Sequence, residues 1–158
     1  MERFAFVWLY LSGRIKRRTW LVYALLISLL EYVTELTLRA AFHWPLPAPS
    51  PDSPLIPSYL GDELSLLTAL IFLWPSLAID IKRWHDMGRS GWYVLCVYAP
   101  AIVLSGLGLA GAGGTVSHPE RGMDAALYLL GLAVIIYFIL LAARKGMPDQ
   151  NRYGPPPD

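Results

Sequence analysis

Charge is what this chain has least of. Only 16% of its 158 residues are Asp, Glu, Lys or Arg, against roughly 25% in an average soluble domain. Twelve acids nearly balance 13 bases, leaving a net charge of +1, which excludes a polybasic nucleic-acid binder. An apolar share of 55% excludes a disordered chain. Cys96 is the sole cysteine, so an internal disulfide framework and a thiolate zinc cluster are both excluded. With a mean hydropathy of +0.43, what remains is an integral membrane protein.

The charges that exist are clustered, and the gaps between them define elements. Ser90–Pro119 carries no charge over 30 residues, Ala125–Ala143 none over 19 and Leu64–Ile79 none over 16. A helix needs about 17–25 mostly apolar residues to cross the hydrocarbon core, and helices satisfy their own backbone groups there. The pattern predicts spans over 64–81, 91–110 and 124–143. A further span over 20–38 is apolar except for Glu31 and Glu35. Its ten Leu, Ile and Val residues supply about −3 to −6 kcal/mol, and each acid costs roughly 2.5–3.5 kcal/mol at mid-membrane. That helix therefore relies on its neighbours. The expected fold is a single all-α domain over 1–158, a four-helix transmembrane bundle with an N-terminal interfacial segment at Phe4–Leu11, anchored by Trp8 and Tyr10.

Lys and Arg set the orientation. Eleven of the 13 bases fall before span 1, between spans 2 and 3, or after span 4; only Arg39 and Arg121 fall on the other side. The positive-inside rule places both termini in the cytoplasm. The outer connection over 44–62 has six prolines between Pro45 and Pro57 and is expected to be extended and irregular. Thr19 and Ser90 are candidate helix caps, Asp62 and Glu63 suit the start of span 2, and Gly88 suits its left-handed end. Pro119 and Glu120 read as a helix start. Arg144-Lys145-Gly146 with Pro148 reads as a helix stop, opening a cytoplasmic tail over 146–158. No cleavable leader and no internal repeat is expected.

Three segments carry most of the distinctive residues. Gly13-Arg14-Ile15-Lys16-Arg17 precedes Trp20. Lys82-Arg83-Trp84-His85-Asp86 leads into Gly88-Arg89-Ser90-Gly91-Trp92. The tail holds Gly146 and Asn151-Arg152-Tyr153-Gly154-Pro155. Together they resemble the bacterial domain of unknown function 805 family, over about residues 3 to 157. Lys82, Trp84, Tyr93 and Pro156 depart from that family's usual residues. The resemblance implies a multi-pass inner-membrane protein and implies no activity.

The expected topology brings all three segments to the cytoplasmic side. Asp86 is the acid among several bases, which predicts a structural latch pairing it with Arg14, Arg17 or Arg83. The motif positions Gly13, His85, Asp86, Ser90, Gly91, Trp92, Asn151, Tyr153 and Gly154 belong to that latch. A sharper reading makes Arg14, Arg17, Lys82, Arg83 and Arg89 a site for an anionic lipid headgroup or phosphate. A Ser90–His85–Asp86 relay needs an ordering that local spacing does not supply. His85 falls inside while His43 and His118 fall outside, so no three-His metal site forms in one chain. No cofactor or metal is expected.

Glu31 and Glu35 share a face of span 1, and Glu35 precedes Arg39 by one turn. The expectation is a Glu35–Arg39 pair, with Glu31 serving as helix contact rather than pathway. Asp80 is expected to reach towards Lys82 or Arg83. Gly106, Ala110 and Gly114 form a small-residue stripe suited to close helix contact, and Pro75 and Pro100 should kink their helices. The function read from these residues is a non-enzymatic scaffold or partner- and lipid-binding protein. Its expected partners are the bilayer, anionic headgroups, and a second copy or another membrane protein, not nucleic acid. The alternative is a small transporter or channel component using Glu31 and the basic inner face.

Overall fold

The computed structural model describes residues 10–45, 49–50, 53–57, 63–109 and 121–157. Among the described residues, four helices account for nearly all of the regular structure: α1 (Arg17–Ala41), α2 (Glu63–Asp86), α3 (Leu95–Leu109) and α4 (Arg121–Ala143). A 3₁₀ turn, Gly91–Val94, leads into α3. Helix α1 packs on α2 and α3 on α4, and α4 also meets α1 and α2. Between α1 and α2 lies a short antiparallel ribbon, β1 (Pro49–Ser50) with β2 (Ser53–Pro57). The Pro-rich connection is therefore partly ordered; its pairing is irregular between Pro49 and Ser50, as expected where prolines lack the N–H of a ladder.

Helices α1 and α2, of 25 and 24 residues, are long and apolar enough to cross a membrane. At 1.5 Å per residue each exceeds the roughly 30 Å hydrocarbon thickness. Their apolar windows are mostly unburied within the protein, unlike the core helix of a soluble domain. Large apolar side chains such as Val22, Leu25, Ile71, Val103, Leu129 and Ile139 face outward. An apolar exterior of this kind marks a membrane protein.

The buried core is displaced to one end. Ile15, Trp20, Ala24, Ile27, Ile79, Trp84, Val94, Tyr137 and Leu141 form one cluster where α1 begins and α2 and α4 end. Trp20 packs on Phe138 with ring centroids 4.8 Å apart, and Trp84 stacks on Tyr93 at 5.0 Å. At the opposite end, Arg39 donates to Glu35 at 2.7 and 2.9 Å, to Ser65 at 2.9 Å and to the Pro45 carbonyl at 2.8 Å. This places Glu35 and Arg39 in the expected pair and ties α1 to α2.

Several local expectations change. Lys16, not Thr19, occupies the N-cap of α1, so the helix starts one turn earlier and Thr19 lies within it. Ser90 does cap, accepting from Trp92 N at 3.4 Å, and Gly88 does adopt a left-handed φ of 71°. Glu63 opens α2, and α4 stops at Ala143. A Cβ at Gly106 would meet nothing within 4 Å, so no close helix approach occurs there among the described residues. Ala110, Gly114, Asp62, His118, Pro119, Glu120 and most of Phe4–Leu11 lie outside the described residues.

Candidate functional site

The three motif segments meet at the end of the protein that holds the core. Arg14 precedes α1, Arg83 and Asp86 lie on the last turn of α2, and the tail follows α4. Asp86 sits between two guanidiniums. Its Oδ1 accepts from Arg14 Nε at 3.2 Å and Nη2 at 3.1 Å, and its Oδ2 accepts from Arg83 Nη1 at 2.5 Å. All three side chains are at most 4% exposed. Two cations around one buried acid satisfy the carboxylate but leave guanidinium N–H groups over, and backbone carbonyls take these. Arg14 also donates to the carbonyls of Met147, Asp149 (2.9 Å) and Gly154 (3.2 Å). Arg83 donates to the carbonyls of Leu141 (2.9 Å) and Arg144. The final carbonyls of α4 thus gain a cation, which suits the negative end of a helix dipole.

The tail folds back because its own sequence makes a turn. Asn151 Oδ1 accepts from Tyr153 N at 2.9 Å, an Asx turn. Asn151 and Gly154 exchange backbone bonds at 3.0 and 3.2 Å, with Gly154 at φ 124°, a conformation that glycine adopts readily. The turn is pinned by Asn151 Nδ2 donating to the His85 carbonyl at 2.9 Å. It delivers Tyr153 onto His85, ring over ring at 3.7 Å and 8°, with Arg152 covering the outer face of Tyr153 at 4.7 Å. Met147 N donates to the Asp86 carbonyl at 2.8 Å. A Cβ on Gly146 would collide with the Asp86 carboxylate, so this close approach requires glycine.

His85 lies beyond the apolar stretch 64–81. Its Nδ1 is 3.2 Å from the Gly13 carbonyl, and Gly13 reaches that position with φ 95°. Burial pushes the imidazole below its ordinary value near 6.5; Arg152 and Lys82 push the same way, against the Gly13 carbonyl. Ser90, His85 and Asp86 each have other partners: the Trp92 amide, the Gly13 carbonyl and the two arginines. Gly91 is buried against Ile81 and His85, while Trp92 is 77% exposed. No group of three His, Cys, Asp or Glu side chains is placed to hold a metal among the described residues.

The three segments lie within the reach of a known family's model. The family described as "Protein of unknown function (DUF805)" matches residues 8–155, which includes all three segments. The chain belongs to the DUF805 family. No curated protein and no solved structure matches it.

In this DUF805 protein, the five bases expected to face an anion go to different places. Arg14 and Arg83 are bound to protein acceptors in the clasp. Lys82 is fully buried and Arg89 is exposed. Arg17 lines a cleft. That cleft, about 380 Å³, is bounded by Lys16, Arg17, Arg18, Lys145, Asp86 and Gly146, with Met147, Pro156 and Pro157 closing it.

A second buried acid, Asp80, has partners other than those expected. Asp80 turns away from Lys82 and Arg83 and into the protein. Its Oδ1 accepts from Trp20 Nε1 at 2.7 Å, and its Oδ2 accepts from the hydroxyls of Tyr98 and Tyr137, both at 3.0 Å. Trp84 Nε1 in turn donates to the Tyr137 hydroxyl at 3.2 Å. One carboxylate therefore joins α1, α2, α3 and α4. The available signal was three amphipathic aromatics: Trp20 and Tyr98 near the starts of α1 and α3, and Tyr137 in the C-terminal half of α4. Glu31, by contrast, is half-buried on α1.

Proposed function

We propose that this protein is a four-span bacterial inner-membrane protein with both termini in the cytoplasm. In this reading it works without catalysis, as a scaffold or a partner- and lipid-binding protein. The sided distribution of Lys and Arg supports the orientation. The observation that carries the reading is the Arg14–Asp86–Arg83 clasp. The groups best suited to chemistry, a carboxylate and two guanidiniums, are turned onto one another and onto backbone carbonyls. Their joint effect is to fix the pre-α1 segment, the α2 end and the tail as one rigid cytoplasmic face.

The test is reconstitution of the full chain in liposomes carrying a pH gradient. Wild type and Glu31→Gln are expected to behave as empty liposomes do. A proton flux that wild type carries and a folded Glu31→Gln variant loses would overturn the scaffold reading. A fluorescent protein fused at the C-terminus is expected to be bright, as it is when the tail is cytoplasmic; a dark fusion in a protein that still inserts would reverse the orientation.

A further inference from the structure

Four of the bases that the clasp does not use converge on one cleft. Lys16, Arg17 and Arg18 come from the start of α1, and Lys145 from the tail, more than 120 positions away. All four line the 380 Å³ cleft, and all four are exposed. Among the described residues none of their side chains makes a hydrogen bond or ion pair with the protein. Asp86, the one acid among the described lining residues, is already held by two arginines, so it does not offset the four cations. The volume lies within the roughly 300–1,000 Å³ of small-molecule sites, room for a headgroup rather than a bare ion. Clustered, unpaired, like-charged side chains repel one another, and a multiply oxygenated anion relieves that repulsion.

The helix that supplies Arg17 and Arg18, with Lys16 as its N-cap, also supplies an apolar track. Arg18, Leu21, Val22, Leu25 and Leu29 stand at i, i+3, i+4, i+7 and i+11, one stripe of α1. The four apolar residues are all exposed, Val22, Leu25 and Leu29 by 57% or more. A basic cleft at the head of an apolar stripe matches the two halves of a phospholipid.

We propose that the cleft lined by Lys16, Arg17, Arg18 and Lys145 binds a phosphate ester, and that the ester is the headgroup of an anionic phospholipid whose acyl chain runs along Leu21, Val22, Leu25 and Leu29. The proposal deepens the lipid-binding reading above and rests on its membrane orientation. The clasp does not depend on it, because none of the four bases belongs to the clasp.

Native mass spectrometry of the full chain in a neutral detergent tests this, with dioleoyl phosphatidylglycerol and dioleoyl phosphatidylcholine as probes. The phosphatidylglycerol adduct is expected to be favoured, and Arg17→Gln/Lys145→Gln to reduce it roughly tenfold or more with the melting temperature unchanged. Arg144→Gln, an exposed neighbour outside the cleft, is expected to leave it intact. Equal binding of the two lipids, an undiminished adduct in the double variant, or an equal loss in Arg144→Gln would overturn the proposal. Inorganic phosphate in excess is the remaining arm. If it displaces phosphatidylglycerol while the two lipids bind alike, the site takes soluble phosphate and the lipid assignment fails.

Discussion

Arg14 and Asp86, separated by 72 positions, form an ion pair at 3.1 Å in which both side chains are almost wholly excluded from solvent. A lone buried pair of this kind contributes little net stability, because desolvation offsets the attraction. Here the geometry matters more than the charge. Arg14 uses its remaining N–H groups to hold three tail carbonyls, so the pair fixes where the tail lies. Loss of either partner leaves a buried charge without its counter-ion, and that asymmetry makes the clasp testable.

Asp86→Ala is expected to destabilise the protein by about 3–5 kcal/mol, the cost of orphaning buried charges. Thermal unfolding in detergent measures it, and limited proteolysis should show the tail cut earlier. An unchanged melting temperature would mean that the clasp does not stabilise the fold.

Gly146→Ala attacks the same contact from the other side. The new Cβ would meet the Asp86 carboxylate, and the Met147–Asp86 backbone bond limits the freedom of the chain to move away. Overpacking of this sort costs about 1–3 kcal/mol. Gly106→Ala, where a Cβ meets nothing within 4 Å, is the control and should melt like wild type.

Tyr98→Phe and Tyr137→Phe each remove one donor from Asp80. Polar contacts between membrane helices average about 0.6 kcal/mol and reach about 1.7, so each single loss should lie in that range. The double variant should exceed their sum, because Asp80 then keeps only Trp20 and is left under-satisfied in a buried site. Strict additivity in unfolding experiments would show that the two hydroxyls act independently.

His85 gives the tail a pH dependence with a definite sign. Its folded value is depressed, so the folded state binds fewer protons than the unfolded chain just below pH 6.5. The stability it contributes is complete above that value and is lost as pH falls through the folded value. Tail proteolysis should therefore accelerate as pH falls below about 6.5, and His85→Gln should flatten the profile. A wild-type profile that is already flat would contradict the shift.

The membrane class and the four helices were legible because they depend on runs of apolar residues, which are local. So were the Ser90 cap, the left-handed Gly88 and the Glu35–Arg39 pair, all set by spacings of a few residues. The latch was legible as a choice among Arg14, Arg17 and Arg83 for Asp86, because topology brings segments to a face without deciding which partner is reached. Asp80 was misread because proximity in sequence favoured Lys82 and Arg83. Its actual partners lie on three other helices.

The sequence by itself determined the helices, their apolar surfaces and the concentration of bases at one end, since periodicity and charge position are properties of the chain alone. Only the tertiary structure decided which of those bases are bound to the protein and which are not. Arg14 and Arg83 are drawn into a buried site by Asp86 and the tail carbonyls. Lys16, Arg17, Arg18 and Lys145 are left around an open cleft. The physical reason is that a guanidinium's fate depends on which acceptors the packed helices bring within 3 Å, and no local pattern encodes that.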